Sequence, residues 1–203
     1  MQLVTPKEVY NHLNKKDMSE KRILTAPFSD ETIKSLHAGD MVYISGTIYT
    51  ARDAAHKRLT EMLAEGKAMP FDFNGQVVYY AGPCPAKPGQ PIGSVGPTTG
   101  GRMDAYSPTL IQEGLKVMIG KGARNQAVVD AMKNHIGVYF AAIGGAAALM
   151  AKCVKKAEVI AFDDLGTEAI RKLEVEEFPA IVAIDSYGNN MYETGPAQFA
   201  KQY

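Results

Sequence analysis

Between Met41 and Ile184, short apolar runs rich in β-branched residues alternate with segments of helical period, and turn residues punctuate the junctions. This alternation constrains the fold most, because strands separated by helices pair side by side and need cover on both faces. Met41 to Thr50 (MVYISGTIYT) predicts a strand. Thr50 and Asp53 stand at capping-box spacing before a helix whose Ala55, Leu59 and Met62 share a buried face. Val77 to Tyr80 predicts another strand, Gly82-Pro83-Cys84-Pro85 to Pro91 a loop, and a short strand is expected to end near Val95. A helix should follow Gly100-Gly101, and Lys116 to Ile119 should be a strand closed by Gly120-Lys121-Gly122. Asn125 caps a helix through Met132, Val138 to Ala141 is a buried strand, and Gly144-Gly145 opens a small-residue helix through Met150. Glu158 to Phe162, Ile170 to Val175 and Ala180 to Ile184 are strand-like, with a turn at Tyr187-Gly188-Asn189-Asn190. Strands cluster at 66–97 and 158–185, so the expected class is α/β with a mixed sheet.

Upstream, Ile23-Leu24 begins the patterned region, Ser29 caps a brief helix, and Gly39-Asp40 makes a turn. Residues 1–20 are polar, with one helical signal in which Thr5-Pro6 precedes Val9, Tyr10 and Leu13. They are taken as an N-terminal extension, and 21–203 as the functional domain.

Charge and cysteine counts narrow the function. With 22 Lys+Arg against 22 Asp+Glu, the chain lacks the basic excess that bulk electrostatic binding of nucleic acid or an anionic membrane needs. The longest uncharged stretch, Ile136 to Ala151, is interrupted by Gly144-Gly145 and too short to span a bilayer. Cys84 and Cys153 belong to no Cys/His ligand cluster, so the sequence offers no four-cysteine metal site and no disulfide scaffold. Two scattered thiols, with Cys84 between prolines packed or partly exposed, and no signal-peptide core at the N-terminus give a cytoplasmic expectation.

Three turns share one design, a strand end followed by a cation: Thr50-Ala51-Arg52-Asp53, Thr98-Thr99-Gly100-Gly101-Arg102 and Gly120-Lys121-Gly122. Before the first two helices, unpaired N–H groups and the positive helix end should add to the arginine charge. Arg52, Arg102 and Lys121 together suit a small dianion, two as carboxylate forks and one as a point charge. Taken singly, each reads first as a solvated surface cation near a turn, since most such residues are exposed. Gly114 to Lys121 is no Walker loop, because five residues separate Gly114 from Gly120 and no Ser or Thr follows the lysine. His56 is expected to make a structural hydrogen bond to Asp53, and the scattered methionines to fill the core.

At Gly96-Pro97-Thr98-Thr99-Gly100-Gly101-Arg102-Met103-Asp104 the sequence resembles the class I, iron–sulfur-dependent fumarate hydratases, in their C-terminal domain or separate β subunit. The same resemblance runs through Ala51-Arg52-Asp53 with Ala55-His56, Tyr79-Tyr80-Ala81-Gly82-Pro83, Gly120-Lys121-Gly122, Ile143-Gly144-Gly145, and Leu173 to Glu176 with Phe178-Pro179-Ala180. It spans about Lys21 to Asn190. The related L-tartrate dehydratase β subunits share the skeleton, while the Gly-Gly pair before Arg102 and the alanine before Arg52 look more like fumarase. The resemblance implies a swivelling β/β/α domain closing over a [4Fe–4S] cluster held by three cysteines of a partner α subunit in an α2β2-type complex. It implies that Arg52, Arg102 and Lys121 bind the carboxylates of a dicarboxylate, that Thr98 is the acid/base, and that the unligated iron acts as a Lewis acid on the substrate oxygen. Fumarate–malate hydration is the leading expectation; tartrate dehydration and a non-catalytic dicarboxylate-binding module are the alternatives.

Overall fold

The chain is described by a computed structural model over residues 21–143 and 145–199; the helical signal at Thr5–Leu13 lies outside the described residues. Five strands run parallel to their neighbours: β1 (Ile23–Ala26), β2 (Met41–Thr50), β3 (Val77–Tyr79), β4 (Val117–Gly120) and β5 (Val138–Ala141). Two more, β6 (Val154–Ala161) and β7 (Ile170–Ile184), are antiparallel, and the sheet order is β1-β2-β3-β4-β5-β7-β6. β7 pairs along one side with nearly all of β2, from Met41↔Ile181 to Thr50↔Arg171, and through its C-terminal half with β5. The pairing β2-β3-β4-β5-β7-β2 therefore closes into a ring, which explains the two core clusters. The helices are α1 (Asp30–Lys34), α2 (Asp53–Ala64), α3 (Ser107–Gln112), α4 (Gln126–His135), α5 (Ala147–Cys153) and α6 (Met191–Phe199).

Side chains alternate along each strand, so β3, β4 and β5 each serve both cores, while β1 serves only one. Val77, Tyr79, Val117, Ile119, Val138 and Phe140 join Leu173, Val175 and Phe178 of β7 in the first. Val78, Met118 and Tyr139 face the other way, into a second cluster with Ala55 and Leu59 of α2, Leu110 of α3 and Val128 and Met132 of α4. β3, β4 and β5 show no polar alternation because neither face meets water.

The expected strands at Met41–Thr50 and Val138–Ala141 occur with those bounds, and Ser29 and Asn125 cap their helices through their side chains. Other expectations need correction. Thr50 is no cap: it is buried, its hydroxyl accepts from the Arg171 N–H at 3.1 Å, and Arg52 occupies the N-cap position without a side-chain bond. Ala55 and Leu59 are buried, whereas Met62 is only half-buried. No strand forms near Val95; that segment is tied down singly, by Val95 N–H to Ala147 C=O and by Tyr79 hydroxyl to Val95 C=O. After Gly100 comes a 3-10 turn, Gly100–Met103, with the helix delayed to Ser107. The small-residue helix runs from Ala147 to Cys153, and the strand expected at Glu158–Phe162 starts earlier, at Val154, and stops before Phe162. The two final strand segments are one strand, continued through Glu177 (φ 47°), whose N–H donates to Ser45 Oγ. Cys84 is exposed and so is no packing residue. Among the described residues, no helix is long and apolar enough to cross a membrane.

Candidate active site

The candidate residues gather at the carboxyl ends of the parallel strands, the end at which α/β sheets, open or closed, bind ligands. Arg52 follows β2 and Lys121 follows β4. Thr98 reaches the same edge by insertion between the ends of β3 and β4: its N–H donates to Tyr80 C=O at 2.6 Å and its C=O accepts from Lys121 N–H at 3.2 Å. Gly100 N–H then donates to Lys121 C=O at 2.7 Å. A Cβ on Gly100 would lie 2.5 Å from the Tyr139 hydroxyl oxygen, and one on Gly120 would lie 2.8 Å from the same atom. Only glycine lets both backbones come this close to the ring. Thr98 is half-buried, and its hydroxyl makes no hydrogen bond among the described residues; Lys121 is exposed and makes no ion pair among them.

Arg52 and Arg102 are brought together by a carboxylate. Asp53 Oδ1 accepts from Arg102 Nε at 2.7 Å, and Asp53 Oδ2 lies 3.3 Å from Arg52 Nη2. Glu168 adds a second carboxylate 3.5 Å from Arg52, and its other oxygen accepts the Ala54 N–H at 3.0 Å. The expected unpaired N–H groups at the start of α2 are therefore partly satisfied by the protein. At Arg102 the four-residue 3-10 turn supplies no helix of useful length, so the dipole contribution expected there is absent. What remains is charge: Arg52 and Arg102 balance Asp53 and Glu168, and Lys121, past the end of β4, adds one cation to the same edge. Arg102 is the more accessible arginine, with its side chain 54% exposed against 21% for Arg52.

Beneath this edge lies a buried polar layer that the sequence did not disclose. Arg124, fully buried, lies against the rings of Tyr80 and Tyr139 and donates from Nε to Asp104 Oδ1 at 2.6 Å. His56 is also buried, but its Nδ1–H donates to Arg52 C=O at 3.0 Å rather than to Asp53. Burial above all, with the Arg124 charge adding, pushes its pKa from 6.5 down to about 4. The unfolded chain thus binds this proton more readily than the folded one. The stability from neutral His56 is complete above about pH 6.5 and lost as pH falls towards about 4. The full loss is about 3 kcal/mol. Urea midpoints should fall between pH 7 and pH 4.5, and His56→Asn should lessen that fall.

Among the described residues, no three His, Cys, Asp or Glu side chains are grouped as metal ligands. Cys84 is exposed and Cys153 half-buried, so these residues do not form a three-cysteine seat for an iron–sulfur cluster.

The family described as "Fumarase C-terminus" matches residues 2–195. The chain belongs to the fumarase C-terminus family. It is 44% identical over 152 residues to the anaerobic class I fumarate hydratase of Escherichia coli, covering 74% of this chain and 28% of that protein. It is 40% identical over 189 residues to the putative class I fumarate hydratase of Geobacillus stearothermophilus, covering 90% of this chain and 36% of that one. A putative L(+)-tartrate dehydratase subunit beta of Methanocaldococcus jannaschii is 42% identical over 167 residues, covering 79% of this chain and 86% of the relative. This fumarase C-terminus chain thus spans between a quarter and two fifths of the curated fumarate hydratases named here, but most of the β subunit.

Proposed function

We propose that this chain is the β subunit of a [4Fe–4S]-dependent hydro-lyase that interconverts fumarate and L-malate. The observation that carries the reading is the gathering of Arg52, Thr98, Arg102 and Lys121 on one open edge, through contacts to Asp53 and backbone bonds between Thr98, Gly100 and Lys121. The cluster is assigned to a cysteine-bearing α subunit in an α2β2-type complex in the cytoplasm, and residues 21–203 to the catalytic domain. There this domain swivels as a β/β/α unit to cover the substrate.

The tasks left to this chain are binding, charge stabilisation and movement of a proton. Hydration of fumarate delivers a proton to one carbon and hydroxide to the other, while negative charge grows on a carboxylate. Arg102 offers its outer guanidinium edge to one carboxylate, Arg52 supports it from behind Asp53, and Lys121, in register with Thr99, supplies a point charge at the next strand end. Closing the partner over the edge removes water and strengthens each of these interactions. The Thr98 hydroxyl is the acid/base, with its oxyanion favoured by the neighbouring cations.

Tartrate dehydration is a second reading, favoured by the 86% coverage of a subunit-length relative. Tartrate carries one more hydroxyl than malate. Co-expression with a cysteine-bearing α chain and anaerobic reconstitution, followed by assays on malate, fumarate and tartrate, separates the readings. Turnover of malate by the complex and none by either chain alone is expected. A monomer that binds dicarboxylates and never forms a complex would overturn both enzymatic readings.

A further inference from the structure

We propose that Arg124 is a positioning residue that locks the Thr98–Arg102 turn to the Lys121 turn, so that the carboxylate-binding groups of both move as one unit. This rests on the substrate-binding reading of those turns. Asp104 and Ser107 stand shortly after Arg102, separated from it by Met103 and by residues 103–106, and Arg124 reaches both: Nε to Asp104 Oδ1 at 2.6 Å, Nη2 to Ser107 Oγ at 2.7 Å. Asp104 returns the link with its other oxygen, which accepts Asn125 N–H at 2.7 Å on the Lys121 side. Tyr80 joins the two levels. Its carbonyl holds the Thr98 N–H, while its hydroxyl lies 3.4 Å from Arg124 Nη1 and its ring centroid 5.4 Å from the guanidinium. On the other side Tyr139 lies 4.9 Å from that guanidinium and donates its hydroxyl to Gly122 C=O at 3.2 Å.

A buried ion pair is a poor source of net stability, because desolvating both charges offsets much of their attraction, and an apolar pair of similar volume often serves as well. Geometry is what the pair supplies. A planar fork with fixed donor directions joins Asp104, Ser107 and two rings in one arrangement, which the single point charge of lysine does not reproduce. Neither residue reaches the open edge, since Arg124 is 0% and Asp104 10% exposed in their side chains. Their action on substrate is indirect, through Arg102, Thr98 and Lys121.

Two measurements test this on the double variant Arg124→Met/Asp104→Asn, which removes both charges and so avoids leaving one buried alone. In the reconstituted complex, kcat/KM for malate should fall on the order of 100-fold, the effect of a misplacement of about 1 Å. Arg124→Lys should recover part of that loss. In the chain alone, hydrogen exchange should quicken at the amides of Gly100 and Lys121, which bond one turn to the other, and stay native at Val182, which donates to Asp40 across the fold. Native kcat/KM, or native exchange at both turns, overturns the proposal. Exchange quickened throughout the sheet also overturns it, by making the pair a general structural element. If the native complex turns over no dicarboxylate, the hydro-lyase reading fails by itself, and the exchange pattern alone decides whether Arg124 couples the turns.

Discussion

Arg102→Ala lowers kcat/KM for malate by at least about 30-fold in the reconstituted complex, and by up to several thousand-fold if the pocket excludes water completely. The range follows from the roughly 2–5 kcal/mol lost when one partner of a buried, hydrogen-bonded charge pair is truncated. In the chain alone Arg102 is half exposed, so its removal should leave the thermal midpoint almost unchanged and assign the loss to substrate binding and charge stabilisation. The geometry adds a second effect. Asp53 divides its two oxygens between Arg102 and Arg52. Without Arg102, that carboxylate faces an incoming dianion with less compensation, and the remaining arginine is shared between Asp53 and Glu168. The loss should therefore exceed that of a simple missing contact. Arg102→Lys should restore only a fraction, since an ammonium cannot pair Asp53 and a substrate carboxylate through separate edges of one plane. Steady-state assays and melting curves of both variants check this; near-native kcat/KM for Arg102→Ala removes the residue from the site.

Arg52 and Lys121 were legible as site candidates because each stands just past a strand end; Thr98 and Arg102 follow no strand, and were marked by the Thr-Thr-Gly-Gly-Arg turn and its family resemblance. Arg124 was not, although it lies three residues from Lys121. Nothing local marks it as buried: its partners Asp104, Tyr80 and Tyr139 come from three separate segments that only the sheet brings together. Glu168 was missed for the same reason, since it reaches Ala54 and Arg52 across 114 and 116 positions of sequence. Strand type was legible in the apolar runs at Val77, Val117 and Val138, which are buried on both faces. The closure of the ring was not. The charged pair Glu176-Glu177 followed by Pro179 has the composition of a break, yet β7 passes through it by a positive φ at Glu177, opposite a register shift between Ile44 and Gly46 of β2. A Cβ on Gly46 would lie 2.8 Å from Ala26 C=O, so that shift depends on β1 as well, a third strand distant in sequence.

Thr98→Val should separate chemistry from binding. Valine matches threonine in shape and in β-branching, so the backbone that carries Thr98 between Tyr80 and Lys121 has no reason to move. The hydroxyl makes no hydrogen bond among the described residues, so the folded chain loses none when it is replaced. Stability should stay within about 0.5 kcal/mol of native. The charged groups that hold the carboxylates are untouched, so malate binding should change little. Turnover, by contrast, should fall by roughly 100-fold to 10,000-fold, the usual contribution of a positioned acid or base. A variant with lower kcat and nearly constant KM, whose complex still forms and whose chain melts normally, places the proton on Thr98. If kcat persists, the proton is carried by a group on the partner, and the cations around Thr98 serve binding alone. The two outcomes differ in what Lys121 does: in the first its charge lowers the cost of a threonine oxyanion across the edge, and Lys121→Met loses kcat as well as affinity; in the second the same substitution raises KM only.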